Sequence, residues 1–346
     1  MMEQQFLSKL ERALAKLNDG ERQDILRDFK EYFASGQAEG KSVEEIITSL
    51  GDVDELAAEL LKAYSEQEFV QTSKTVKEEE FDHIKIDSEL AAIELLPSPT
   101  GKFYTELKSK GEQFIMDVEI ANNTLTIDIQ REESTFKLFG LKININFNID
   151  HGATAFVYVP EKLYQSIVIK NEIGGSVIEK LQAKEIKCHT SVGKTKLKNV
   201  LASELNVKSS VGKAELQSVH ATTATVKSEA GKVIIEDSIA EIWHVKSEAG
   251  RVDLINIQGE IDARTEAGKM TMDVESITKP LKLKTSVGKI EVLTAKAIDN
   301  ATIEAKSELG KISIYGERGK RLVYGTGENL IKLKTELGSI VIDKKL

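Results

Sequence analysis

The chain has 346 residues, 40% of them hydrophobic but only 5% aromatic, so it can bury a sizeable core that is poor in large rings. Its formal charge of −9 lies wholly in residues 1–80, which hold ten Lys or Arg against nineteen Asp or Glu, while the 37 basic and 37 acidic residues of the remainder cancel. A basic nucleic-acid-gripping domain is thereby disfavoured, one cysteine (Cys188) excludes an internal disulfide, and no run of 18 uncharged apolar residues is present to span a membrane.

The N-terminus carries a charge at every turn and has no apolar segment of signal-peptide type. The expectation is a cytoplasmic protein, with any membrane association made by surface contact or through a partner. Phe6, Leu7, Leu10, Leu14 and Leu17 recur at helical spacing, as do Ile25, Leu26, Phe29, Tyr32 and Phe33. Ser42 and Glu45 form a capping box ahead of Ile46, Ile47 and Leu50, with Gly51 as the stop. Asp52 or Asp54 can cap a fourth helix through Leu56, Leu60, Leu61 and Tyr64. Residues 1–64 thus predict a module of about four helices, and the polar, charged residues 65–80 a linker. The segments LSKLERALAKL, ERQDILRDFKEYFASGQAEGKS and VEEIITSLGDVDELAAELL resemble the HAAS signalling domain of bacteria. That resemblance implies a PadR-linked signalling context. The acidic surface, with Phe29, Tyr32 and Phe33 read as a stripe near it, predicts a basic protein partner for residues 1–64.

From Phe81 onward the period changes to alternation. FDHIKID, KFYTELKS, FIMDVEI, TLTIDIQ, LKININFNI and TAFVYVP read as strands, separated by turn signals at Pro97-Ser98-Pro99 and Asn122-Asn123. Residues 81–165 predict an entry region that caps the C-terminal half of the chain. Its most apolar patch surrounds Phe136, Leu138, Phe139 and Leu141.

Residues 166–346 repeat. KNEIGG, HTSVGK, KSSVGK, KSEAGK, KSEAGR, RTEAGK, KTSVGK, KSELGK and KTELGS place glycines at Gly174, Gly193, Gly212, Gly231, Gly250, Gly268, Gly288, Gly310 and Gly338, at successive spacings of 19, 19, 19, 19, 18, 20, 22 and 28 residues. A fixed period of this size is that of a solenoid whose coils bury their apolar faces against neighbours. In VKSEAGKVIIED, Val226 and Val233 flank a tight turn that Gly231 opens by taking positive φ. The predicted fold class is therefore α + β multidomain: a small helical bundle, then an all-β single-chain parallel β-helix of about 19–20 residues per coil. The entry strands, the VYVP turn at Pro160 and the T-x-x-G-x-[IV] repeats resemble the bacterial "putative adhesin" β-strand repeat family. That resemblance implies an envelope-stress setting and no assigned activity.

Stacking in chain order predicts two cationic columns. One holds Lys208, Lys227, Lys246, Arg264, Lys284, Lys306 and Lys334; the other holds Lys194, Lys213, Lys232, Arg251, Lys269, Lys289 and Lys311, with Glu229, Glu248, Glu266, Glu308 and Glu336 between them. The second column, from Lys213 to Lys311, is the candidate charged contact ladder, weighed against a solvated, mutually compensating face. Hydroxyls three residues before each glycine, such as Ser228 and Thr335, predict a ladder that satisfies turn backbone groups. His83, His151, His189, His220 and His244 lack ligand-like spacing, and Cys188 and His189 point to opposite faces of a strand, so neither a metal, a cofactor nor a catalytic residue is predicted. The insertion GERGKRLVYGTGENL, with Arg318, Lys320 and Arg321, is the one departure from the repeat. The preferred reading is a non-enzymatic interaction or scaffold protein with self-association surfaces. The alternatives are a surface adhesin or glycan-binding rod, and behind it a carbohydrate-active β-helix enzyme.

Overall fold

The computed structural model describes residues 2–17, 19–38, 40–65, 70–74, 80–109, 114–131, 136–138, 141–143 and 153–345. Four helices come first: α1 (Glu3–Ala13), α2 (Asp19–Ala38), α3 (Val43–Leu50) and α4 (Val53–Ser65). Their periodic residues converge on one core in which Phe6 meets Phe29 at 6.3 Å and Phe33 edge-on at 5.6 Å between ring centroids. The capping box at α3 forms in both directions, Glu45 N–H donating to Ser42 Oγ at 3.2 Å and Ser42 N–H to Glu45 Oε2 at 2.8 Å. Asp52 is the cap of α4, accepting from the N–H groups of Asp54 and Glu55 at 2.8 and 3.2 Å. Asp54 is free to pair with Lys9 at 2.8 Å. No described helix is long and apolar enough to cross a membrane. Residues 65–80, expected to be a linker, hold the end of α4 and a strand at Val70–Lys74.

The all-β part is built from parallel strands that advance one coil at a time. Leu163–Ile173 pairs with Gln182–Val192, which pairs with Leu201–Gln217, then His220–Glu236 and Ile239–Ile255, each residue facing the one 19 positions on, as in Val226 opposite Val245. The 18-residue step to Gly268 is absorbed by a register slip between Ile239 and Ile242. Each coil has two strand segments with opposite side-chain phases toward one interior. In the coil 220–236, Ala224, Val226 and Ser228 point inward from the first segment and Val233 and Ile235 from the second. Trp243 fills the same column and donates its indole N–H to Gln258 O at 3.1 Å.

Two corners turn each coil. At the first, Gly231 and Gly250 sit at φ +141° and +138°, and a Cβ on either would overlap the carbonyl oxygen of the glycine one coil below. Gly310 departs from the expectation, lying outside the positive-φ group. The second corner has no glycine to mark it in the repeat phrase: Lys180, Asn199, Ser218, Asp237 and Asn256 all occupy left-handed backbone at φ 49–54°. Asn and Asp tolerate this conformation best, and Asn256 Nδ2 donates to Asp237 Oδ1 at 2.7 Å between coils.

Spatial order departs from chain order at both ends. His83–Ser88 lies between Thr124–Arg131 and Leu163–Ile173, and Ala92–Pro97 between Thr154–Val159 and Ser176–Glu179. The first coil in sequence is thus enclosed between two others. At the other end Asn329–Leu337 inserts between Leu281–Val287 and Ala301–Leu309, and Ile340–Lys344 between Ile290–Thr294 and Ile312–Ile314. The 316–330 insertion is what makes this return: its strand Arg321–Tyr324 pairs antiparallel with Ala301–Leu309 and covers that edge. Lys334 accordingly stands between Lys284 and Lys306, which corrects the order expected for that column.

Ending the chain after residue 328 removes an internal coil, so hydrogen exchange should lose protection across Ala301–Leu309 as well as at the new terminus. Gly231→Ala should cost at least about 3 kcal/mol in equilibrium urea unfolding, because positive φ and backbone overlap act together.

Candidate functional site

On the second strand segment the ladder expected to be a charged contact track is bridged in pairs, one carboxylate between two cations. Glu215 takes Lys194 at 3.0 Å and Lys213 at 2.6 Å; Asp253 takes Lys232 at 3.0 Å and Arg251 at 2.7 Å; Glu291 takes Lys269 at 2.5 Å and Lys289 at 2.6 Å. One carboxylate therefore joins two cations on adjacent coils, and only Lys311 of this column has no carboxylate partner among the described residues. The Lys213 ammonium first, then Lys194, holds the Glu215 carboxyl at about 2, down from 4.5. Arg264 and Lys282 hold Asp262 at about 2 in the same way.

The first strand segment carries the other column. Lys208 pairs with Glu229 at 3.0 Å, Lys246 with Glu248 at 3.3 Å and Arg264 with Asp262 at 2.9 Å. Lys227, Lys284 and Lys334 stand in the same column without a carboxylate partner among the described residues. His189 belongs to this outward row, and partial burial with Lys208 beside it lowers its pKa. Cys188 faces the opposite way, into the core, where burial pushes its thiol up to about 12. The two side chains do not meet, as strand alternation requires.

The hydroxyl column lies inside the corner. Ser307 Oγ donates to Gly338 O at 2.9 Å and Thr335 Oγ1 to Gly288 O at 3.3 Å. Thr190 bonds Ser176 instead, and the buried hydroxyls of Ser209, Ser228, Ser247, Thr265 and Thr285 have no partner among the described residues. Backbone satisfaction by this column is thus confined to the last coils. Phe29 and Phe33, expected near a surface stripe, are at most 1% exposed in the helical core, because α2 turns its apolar face onto α1; Tyr32 is half-buried against that core. Phe139 and His151 lie outside the described residues, as do the side chains of Phe136, Leu138 and Leu141. Among the described residues no three His, Cys, Asp or Glu side chains are grouped to hold a metal ion.

A third column, absent from the sequence-based expectations, is apolar. The residue before each corner glycine is exposed and apolar in every coil: Ile173, Val192 and Val211 at one end, Ala230, Ala249 and Ala267 in the middle, and Val287, Leu337 and Leu309 at the other. These residues are in register with one another throughout. The signal is present in the repeat phrases themselves, where I, V, A or L always precedes the shared glycine.

Residues 81–343 match the family described as Toastrack DUF4097. The chain belongs to that family. Ahead of the Toastrack region, residues 5–59 match HAAS. Similar solved structures include a protein titled a "putative adhesin" from Bacteroides fragilis NCTC 9343, 15% identical with a TM-score of 0.39, the match covering 80% of this chain and 97% of that one. Another is titled a "putative cell adhesion protein" from Clostridium sporogenes ATCC 15579, 15% identical with a TM-score of 0.24, covering 80% of this chain and 100% of that one. A third "putative adhesin", from Parabacteroides merdae ATCC 43184, is 9% identical with a TM-score of 0.22, covering 81% and 97%. Among curated proteins, none matches the chain.

Two carboxylates of the Toastrack region that each bridge two cations, Glu215 and Asp262, set an acid response. Their folded-state pKa values are depressed, so the stability they contribute is full above about pH 4.5 and is lost as pH falls toward about 2. Glu215→Gln should lower stability near neutral pH by about 1–2 kcal/mol and flatten the decline of the melting temperature across that acid range.

Proposed function

We propose that the protein is a non-enzymatic interaction protein in which the HAAS module engages a protein partner and the Toastrack region is a rigid binding or assembly platform of single-chain parallel β-helix type. The observation that carries this reading is the recurrence of one surface chemistry, coil after coil and in register, on the first strand segment and its corner. Extended ladders of this kind suit contact with another extended surface, whereas a small-molecule site is a concave pocket with a few converging polar groups. Lys227, Lys284 and Lys334, which have no carboxylate partner among the described residues, are the ammonium groups this platform offers to such a surface.

The HAAS module turns its large apolar residues inward, so its partner meets an acidic surface and not an aromatic stripe. A basic partner in a PadR-linked or envelope-stress circuit fits this charge. Affinity capture of the full chain from its own cells, followed by crosslinking mass spectrometry, tests the assignment. Partners should crosslink to residues 1–64 and be lost with Glu11→Lys combined with Glu31→Lys, two exposed positions within helices. Recovery unchanged by these substitutions would move the function to the Toastrack ladders.

A further inference from the structure

We infer that the apolar corner ladder is a self-association surface on which a second copy of this chain docks side by side, the two solenoid axes parallel and related by a two-fold along them. The inference is independent of which partner the helical module engages. Ile173, Val192 and Val211 are 47–52% exposed, and Val287, Leu337 and Leu309 47–70% exposed. Each stands in register with the next, so the six bracket a central stretch of exposed alanines without interruption. Apolar side chains scattered singly on a surface need no explanation; an unbroken file of them beside bare glycine backbone does.

The flanks of the ladder indicate its occupant. One residue ahead of it runs an acidic row with Glu229, Glu248, Glu266 and Glu308, and two residues behind it runs a basic row with Lys232, Arg251, Lys269 and Lys311. A two-fold parallel to the ladder lays acid against base at the Ala230, Ala249, Ala267 and Leu309 levels, with Ser191, Ser210 and Ser286 in the acidic row's place at the Val192, Val211 and Val287 levels. An antiparallel two-fold would instead set acidic row against acidic row, Glu248 facing Glu248, which like-charge repulsion disfavours. The rows are accessible for this: the side chains of Glu229, Glu248 and Glu308 are 47%, 51% and 54% exposed, and those of Lys232, Arg251 and Lys269 are 41%, 52% and 39% exposed while keeping their own carboxylate partners.

The area is adequate. Nine coils at about 4.8 Å give a strip about 43 Å long and four residues at about 3.3 Å give about 13 Å of width, so two copies bury roughly 1,100 Å² in all, just past the ~1,000 Å² of a specific interface.

Sedimentation equilibrium of the full chain tests the proposal directly. The wild-type protein should show twice the chain mass at about 100 µM, and Val211→Glu, at an exposed position, should return it to the chain mass with unchanged circular dichroism, a loss of affinity of about 100-fold or more. Glu308→Lys or Lys311→Glu alone should weaken the dimer roughly fivefold, and the double swap should restore it, since the pairing is reciprocal. Val192→Cys should form an intermolecular disulfide under mild oxidation, because a parallel two-fold brings that position against its own copy, while buried Cys188 contributes no background. A wild-type chain that stays monomeric at that concentration, a dimer indifferent to Val211→Glu, or failure of Val192→Cys to crosslink would each overturn it.

Discussion

The approach of one glycine to the next fixes the Toastrack region. At the first corners from Gly193 to Gly288 and at Gly338 the chain turns sharply while its carbonyl lies against the next coil, and the only residue whose Cα fits over that oxygen at φ near +140° is one without a side chain. Coil spacing, the inward phase of Val226 and Val233, and the outward phase of Glu229 and Lys232 all depend on where that corner is placed. Register is therefore set once per coil and copied along the stack, which is why 19-residue offsets persist from Leu163 to Ile255.

Charge is distributed by the same geometry. A column of like charges one coil apart is costly unless something lies between, and the two strand segments resolve this differently. On the second, Glu215, Asp253 and Glu291 recur at every other coil and each serves two cations. On the first, Lys208, Lys246, Arg264 and Lys306 each pair with one carboxylate, and Lys227, Lys284 and Lys334 have none within ion-pair distance among the described residues. A sequence in which every repeat looks equally basic thus yields one face whose cations are bridged in pairs and one on which Lys227, Lys284 and Lys334 have no carboxylate partner among the described residues.

The ends answer a different problem. A stack of parallel strands exposes an unpaired edge at each end, and an edge invites further pairing. Here neither the first nor the last coil in sequence forms an end of the stack; each is gripped between two others, and the C-terminal outer coil is further covered by the antiparallel strand Arg321–Tyr324.

By itself the sequence determined the helical module with its caps, the change from helical to alternating period at Phe81, the repeat length and the glycine corner, because each of these is a local pattern whose physics acts within about one coil. It also separated Cys188 from His189, since adjacent residues on a strand diverge. Tertiary structure alone decided that Phe29 and Phe33 are core, that Lys334 precedes Lys306 in space, that Arg318, Lys320 and Arg321 belong to an end-covering return, and which lysines lack a carboxylate partner among the described residues. Those facts depend on which coil lies beside which and on which helix covers which face, and spacing along a chain carries no information about contacts between segments that the chain itself places out of order.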